Sequence, residues 1–242
     1  SGAEFEFPYP VPEGVTFTTQ DPAVPKNSLS NSETGFRLGY LFNGWDISTF
    51  YLYSWEKFPV NYRGISALRY NFNPQYKRLH IGGFTFAREI NNIIYKGEFV
   101  LTPKGYFSIF DDNDSDGIIR KDFGDYLLGM DFTLFGKIDN NIQFMQRVIF
   151  AYDKRLVNET RTRNSISYRI HQGFLDNNLD AEFLIIASLR EKDLLFRPKV
   201  TYNFKNNWKF RLGMDIFKGE PSGVFGKFQK KSRVYTEATY SF

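Results

Sequence analysis

The residues best suited to ion binding lie in the run Asp112-Asn113-Asp114-Ser115-Asp116-Gly117. Carboxylates at alternate positions ahead of a glycine are typical of the start of a calcium-binding loop, because hard oxygens surround the ion and glycine allows a sharp turn. A bidentate glutamate normally closes such a loop, but Phe123 occupies that position here. Asp112, Asp114 and Asp116 are therefore a candidate Ca²⁺ site, and a solvated acidic loop is the favoured alternative.

The chain contains two histidines, His80 and His171, and no cysteine. The missing thiols exclude zinc–cysteine sites, iron–sulfur clusters and cysteine nucleophiles. His171 follows Ser165 and Ser167 in the chain, but a serine nucleophile needs a base that a third group orients. The sequence marks no such group, so we predict that the chain is not an enzyme. A lipid hydrolase built on His171 is the least favoured alternative.

Most of the remaining reactive side chains are charged and occupy alternate positions of extended segments. Bases outnumber acids in this set, so a passage lined by them should favour anions. The alternative is that the charges pair across neighbouring strands and fill the interior. The predicted lining residues are Arg37, Lys96, Glu98, Asp131, Arg147, Arg169, His171, Glu182, Arg197, Lys199, Lys209, Arg211, Asp215, Arg233 and Glu237.

The segments that must position these residues alternate between apolar and polar side chains. After Asn207, one face carries Trp208, Phe210, Leu212, Met214 and Ile216, and the other carries Lys209, Arg211, Gly213 and Asp215. A period of two residues predicts strands with one apolar face. We predict strands near residues 35–44, 46–55, 77–88, 92–103, 125–136, 141–153, 164–174, 179–190, 194–204, 207–217 and 232–242.

The composition indicates where such strands would be stable. The 242 residues include 27 Phe and 15 Tyr, yet the mean hydropathy is −0.41. The sequence contains no apolar run of the ~18 residues that a membrane-spanning helix needs. A chain that is polar on average can be embedded in lipid when alternating strands close into a barrel. We therefore predict an all-β fold, an antiparallel transmembrane β-barrel of about 11–12 strands, over a soluble β-sandwich.

The connections between the predicted strands divide the chain into regions. Residues 1–33 are rich in proline and are predicted to be irregular and extracellular, whereas residues 34–242 carry the barrel strands. Short Asn-rich turns alternate with longer polar loops, as expected for periplasmic turns and external loops. Eleven strands is an odd number, whereas bacterial single-chain barrels have an even number. Either a strand within 61–73 completes the count or, as we favour, the chain is the C-terminal part of a larger barrel.

Two stretches carry a resemblance to a known group of proteins. Residues 26–60 contain Asn31-Ser32-Glu33-Thr34-Gly35-Phe36 ahead of the first strand. Residues 195–242 contain Gly219, Gly223 and Phe225-Gly226-Lys227-Phe228, then Arg233-Val234-Tyr235 before a terminal aromatic residue. These stretches resemble a porin-like family of proteobacterial outer-membrane β-barrels of unknown function, and the likeness covers most of residues 20–242. The resemblance implies an outer-membrane location, a role in passing or exporting solutes, and further strands upstream of Ser1.

Together these patterns predict a porin-like transport barrel in the bacterial outer membrane, with outer-membrane lipid as its environment. The net charge of +4 is scattered along the chain, so we expect no nucleic-acid partner. Small solutes would diffuse along the charged lumen without a covalent step. The alternative is a structural scaffold or sheath barrel that holds a partner protein, and an upstream barrel segment is a further candidate partner.

Overall fold

The computed structural model describes residues 16–66, 69–111, 113–204 and 207–242. These residues form an all-β fold with two sheets. A small sheet contains β1 (Thr16–Thr19), β4 (Val60–Ser66) and β5 (Arg69–Gln75). The large sheet contains β2 (Thr34–Phe42), β3 (Trp45–Trp55), β6 (Arg78–Ile90), β7 (Ile93–Ser108), β8 (Ile118–Leu134), β9 (Ile138–Ile149), β10 (Thr162–Phe174), β11 (Leu179–Ser188), β12 (Asp193–Phe204), β13 (Trp208–Lys218) and β14 (Arg233–Tyr240).

The large sheet confirms the eleven strands that the alternation predicted. Its order is β14-β13-β12-β11-β10-β9-β8-β7-β6-β3-β2, and every neighbouring pair is antiparallel. Among the described residues no strand pairs with the outer edge of β2 or of β14, so the large sheet is open at both edges.

Local backbone chemistry explains why the turns at one end are short. Asn43 and Gly44 have φ angles of 47° and 79°, and Asn91 and Asn92 have φ angles of 52° and 62°. Two successive residues with positive φ make the type I′ turn that matches the twist of a two-residue hairpin, and Asn and Gly tolerate this conformation best. These turns define the short-turn end of the large sheet, and the opposite end is the long-loop end.

The small sheet lies at the long-loop end and corrects two expectations. The segment 61–73 does form strands, but β4 and β5 pair with each other and with β1, not with the large sheet. They therefore add no strand to the large sheet, whose strand number stays odd at eleven. The strands within residues 34–242 do not all belong to one sheet. Residues 1–33 are also not wholly irregular, because Thr16–Thr19 forms β1 and Leu29–Asn31 forms a 3-10 turn. Residues 1–15 lie outside the described residues.

A compact group of loops forms next to the small sheet. Lys104 adopts a φ of 54° and produces a bulge, so β7 and β8 continue beyond the other strands as a twisted extension. Phe107, Ile109, Ile149 and Leu156 form a buried cluster between this extension and the loop that follows β9. The cluster fixes the loops at the long-loop end against the sheet, since close-packed apolar side chains resist displacement.

The register gives the large sheet two different faces. Residues that oppose one another across a ladder share a face, so Lys209, Arg211, Thr201 and Glu237 define the charged face. The apolar face carries Phe84, Leu128, Val200, Phe210 and Leu212, each between 43% and 51% exposed. In the part of the chain that the structure describes, no helix is long and apolar enough to cross a membrane.

Candidate functional site: the charged face

The register places all fifteen predicted lining residues on the charged face. Paired positions run continuously across the sheet, for example from Arg37 through Phe50, Gly83 and Val100 to Asp125. The same alternation holds from β8 to β14. Strand alternation alone was sufficient to select them because the side-chain period of a strand is two residues. A passage lined by these residues requires the sheet to close.

The charge balance of this face differs from the expectation. The register adds Lys121 and Arg163 to the nine predicted bases and six carboxylates to the five predicted acids, giving eleven bases and eleven acids among the described strand residues. An excess of bases over the whole face was therefore wrong. The added acids are Asp46, Glu89, Asp125, Asp139, Asp180 and Asp193.

Cations are concentrated on strands β10 to β14. Two carboxylates of this region each form ion pairs with two cations. Arg197 Nε and Arg233 Nε lie 2.7 Å and 2.8 Å from the two oxygens of Asp215. Glu182 accepts from Arg169 at 2.7 Å and from Lys199 at 2.8 Å. Each of these clusters keeps one net positive charge, because one carboxylate neutralises only one cation.

The region from β2 to β9 has the opposite character. Lys96 pairs with Asp131, and Arg147 pairs with Asp125, each at 2.7 Å. Further acids on this half include Asp46, Glu89 and Glu98, and no ion pair to them is found among the described residues. The charged face is thus divided laterally into an acidic half and a basic half, which the linear sequence did not reveal.

His171 lies between two carboxylates. Its Nδ1 is 3.5 Å from Asp139 Oδ2, and its Nε2 is 3.3 Å from Asp180 Oδ1. Both ring nitrogens therefore face acids, and neither faces the hydroxyl of Ser165 or Ser167. This geometry gives no support to a serine nucleophile with His171 as its base.

The candidate calcium loop is organised around an arginine. Asp114 Oδ1 accepts N–H groups from Asp116 and Gly117, and Asp116 Oδ1 accepts the N–H of Ile118, so both carboxylates cap the turn. The buried Arg63 donates to the carbonyl oxygens of Asp111 and Asp114 at 2.6 Å and 3.2 Å. Asp112 lies outside the described residues, and among those described no group of three or more His, Asp or Glu side chains could hold a metal ion.

A second loop is held by Arg155, which the sequence did not single out. Its guanidinium lies 2.7 Å from Asp111 and 2.8 Å from Asp153, so it joins the loop after β7 to the loop after β9. Hydrogen bonds from Arg155 lower the pKa of both carboxyls below the usual 3.8. The same two acids raise the pKa of Arg155, so the guanidinium stays charged throughout.

We expect this junction to weaken only in strong acid. Carboxyls whose pKa is lowered by folding stabilise the folded state above their unfolded pKa, and this contribution is lost as the pH falls through the lowered value. Hydrogen exchange of residues 150–161, corrected for intrinsic rates, should stay constant between about pH 7 and pH 5 and accelerate below about pH 3. In Arg155→Met the exchange should already be fast at neutral pH. Equal protection of residues 150–161 in the two proteins would contradict the role of Arg155 in joining the two loops.

Asp193 fixes the loop that precedes the last strand. Its side chain is 1% exposed, and Oδ2 accepts the N–H groups of Phe225 and Gly226 at 2.6 Å and 3.2 Å. Gly219 adopts a φ of 140°, and a Cβ atom there would overlap Asp193. Gly219 and Gly223 are therefore required by the close approach of this loop to a buried carboxylate, whereas a Cβ at Gly226 would overlap the carbonyl group of Glu220. No pattern in the sequence marked Asp193 as the partner of Gly219 and Gly223.

Comparisons with known proteins do not identify a family. No protein-family profile and no curated protein matches the chain. The functional argument consequently depends on the geometry of the two faces.

Proposed function

We propose that this chain belongs to a porin-like transport barrel of the bacterial outer membrane that passes small solutes along its charged face. The observation that carries the proposal is the two-sided sheet, with exposed apolar side chains on one face and ion-paired charges on the other. Lipid outside and water inside is the environment in which both faces of such a sheet are satisfied.

The distribution of buried apolar side chains supports this environment. Only eight hydrophobic residues are buried among those described, and all lie towards the long-loop end or in the small sheet. In contrast, the middle of the apolar face remains half exposed, as at Leu128 and Leu212. A soluble chain rarely leaves a contiguous apolar surface of this extent open to water.

Aromatic residues at the two ends of the apolar face match the positions of membrane interfaces. Tyr51, Tyr53 and Trp55 lie on this face towards the long-loop end. Trp208 and Tyr240 pair at the short-turn end with ring centroids 4.9 Å apart. Amphipathic rings prefer the level of the lipid headgroups, so two girdles separated by a lipid-facing band support the same orientation.

The open edges indicate what must complete the barrel. β2 and β14 both run from the long-loop end to the short-turn end, so direct pairing between them would be parallel. A second copy in the same orientation would meet the first through the same parallel pairing. Open edges leave backbone groups unpaired in lipid, so the sheet must close. Antiparallel closure requires an odd number of additional strands, of which the first and the last run opposite to β2 and β14. These strands would come from an upstream barrel segment or from a partner protein.

Conductance of the native assembly in a planar bilayer under a salt gradient tests the proposal. A passage controlled by the basic half should give steady conductance and an anion-favouring reversal potential. Arg197→Glu combined with Arg211→Glu should move the reversal potential towards cations. Unchanged selectivity in this variant would remove both residues from the passage.

A silent but folded assembly would contradict the transport proposal and favour the scaffold alternative. Heat-dependent mobility on a denaturing gel establishes that the sample is folded. Recovery of a stoichiometric partner after gentle solubilisation would then identify the occupant of the charged face.

A further inference from the structure

A series of cations follows the basic half from the short-turn end over most of the length of β13. Lys209 and Arg211 are two residues apart on β13, Lys199 lies opposite Gly213, and Arg197 lies at the level of Asp215 and Arg233. Residues two apart on one face are separated by about 7 Å, so these four levels extend over about 20 Å. A cation is therefore present at each of these four levels, and the next level, that of Phe217 and Leu195, carries none.

The series continues into the loop at the long-loop end. Lys227, Lys230 and Lys231 belong to the 3-10 helix Gly226–Lys231. Phe228 of this helix contacts Phe217, whose side chain lies on the charged face, with ring centroids 5.7 Å apart. Asp193 holds the loop in this position, so three further lysines stand above the upper end of the series.

The acids along this line do not neutralise the cations. Arg197 and Arg233 share Asp215, Arg169 and Lys199 share Glu182, and Arg211 pairs with Glu237 at 2.7 Å. These contacts contain five cations and three carboxylates, and no ion pair to Lys209 is found among the described residues. Two acids of this half remain: Asp180 faces His171, and Asp193 accepts the N–H groups of Phe225 and Gly226.

The lower levels surround a depression with hydrogen-bond donors. It has a volume of about 220 Å³, and four cations face two carboxylates there; the lining residues are Arg169, Lys199, Lys209, Arg211, His171, Thr201, Asn203, Asp180 and Glu182. Cationic and neutral donors directed at one space are the groups that bind oxyanions. Because the next cations follow at intervals of about 7 Å, one anionic group fills only part of the series.

From this spacing we propose that the basic half is a binding track for a linear oligoanion, a solute with several carboxylate or phosphate groups along its length. The proposal rests on the proposed transport function and names its class of solute. Successive groups of the solute contact successive cations, and the shared carboxylates keep those cations in position. The acidic half repels the same solute, so the track follows one wall of the charged face.

Equilibrium binding of inorganic tripolyphosphate to the folded native assembly in detergent at low salt tests the track, with orthophosphate as the single-group probe. We expect tripolyphosphate to bind at least about tenfold more tightly than orthophosphate, because it contacts several cations. Replacing Lys199 and Lys209 with Gln should weaken tripolyphosphate binding at least about tenfold. The matched control, Lys96→Gln with Arg147→Gln, removes the same charge from the acidic half and should change affinity less than about threefold.

The outcomes separate the track from the transport proposal. Binding that is lost in the track variant and kept in the control supports the track even if bilayers show no conductance, in which case transport alone fails. Absence of tripolyphosphate binding, equal affinity for the two probes, or equal loss in both variants overturns the track, whatever the conductance.

Discussion

Leu212→Arg is expected to destabilise the folded protein in lipid by about 2–4 kcal/mol, the cost of a cation near the bilayer midplane on a lipid-facing strand position. Leu212 is the fifth of eleven residues of β13, lies on the apolar face and is 50% exposed. Its burial is too small for packing to explain such a loss. Equilibrium urea unfolding in lipid vesicles, followed by tryptophan fluorescence, measures the change.

A matched arginine on the other face separates lipid exposure from a general effect of charge. Gln143 lies on the charged face of β9, so Gln143→Arg should change the free energy of unfolding by less than about 1 kcal/mol. If the apolar face met water, Leu212→Arg would cost no more than about 0.5 kcal/mol, as surface substitutions do. Equal small effects at the two positions would therefore exclude the proposed lipid contact.

Gly219→Ala is expected to release the loop before β14. Alanine at a φ of 140° is strained, and its Cβ would overlap the backbone and side chain of Asp193. Strain of this kind costs about 1–3 kcal/mol, which increases the population of the open loop by a factor of about 5 to 160. Trypsin cleavage after Lys227, Lys230 and Lys231 in the folded protein measures that population.

Gly39→Ala is the control for this substitution, because a Cβ at Gly39 would meet no atom within 4 Å. Its cleavage rate should equal that of the unchanged protein. Asp193→Ala should accelerate cleavage as Gly219→Ala does, since it removes the acceptor of the Phe225 and Gly226 N–H groups. A cleavage rate unchanged by both substitutions would show that Asp193 does not hold the loop.

Local sequence rules predicted the strands of the large sheet because each rule acts over a few residues. Alternation identified β13 and β14, and the Asn43-Gly44 and Asn91-Asn92 pairs identified hairpins. The same rules missed the pairing partners of residues 61–73, because that segment alternates weakly. Its separate sheet depends on contacts with β1, which is distant in the chain.

The sequence predicted which residues belong to the charged face but not which of them form ion pairs with one another. A two-residue period places Arg197, Lys199 and Arg211 on one face whatever lies beside them. The register between neighbouring strands decides which carboxylate each cation contacts, and the geometry of the hairpins sets that register. The acids Asp125, Asp139 and Asp180 escaped notice because they lie at or just outside the ends of the predicted strands 125–136, 141–153 and 179–190.

By itself, the sequence determined the all-β class, the eleven strands of the large sheet and the two faces of those strands. The physical reason is that alternation and turn conformation are properties of adjacent residues. Only the tertiary structure decided that Asp215 and Glu182 are each shared by two cations, that Arg63 occupies the acidic loop, and that Asp193 holds the glycine-rich loop. Those contacts join residues far apart in the chain, and their geometry is fixed by strand register and loop packing.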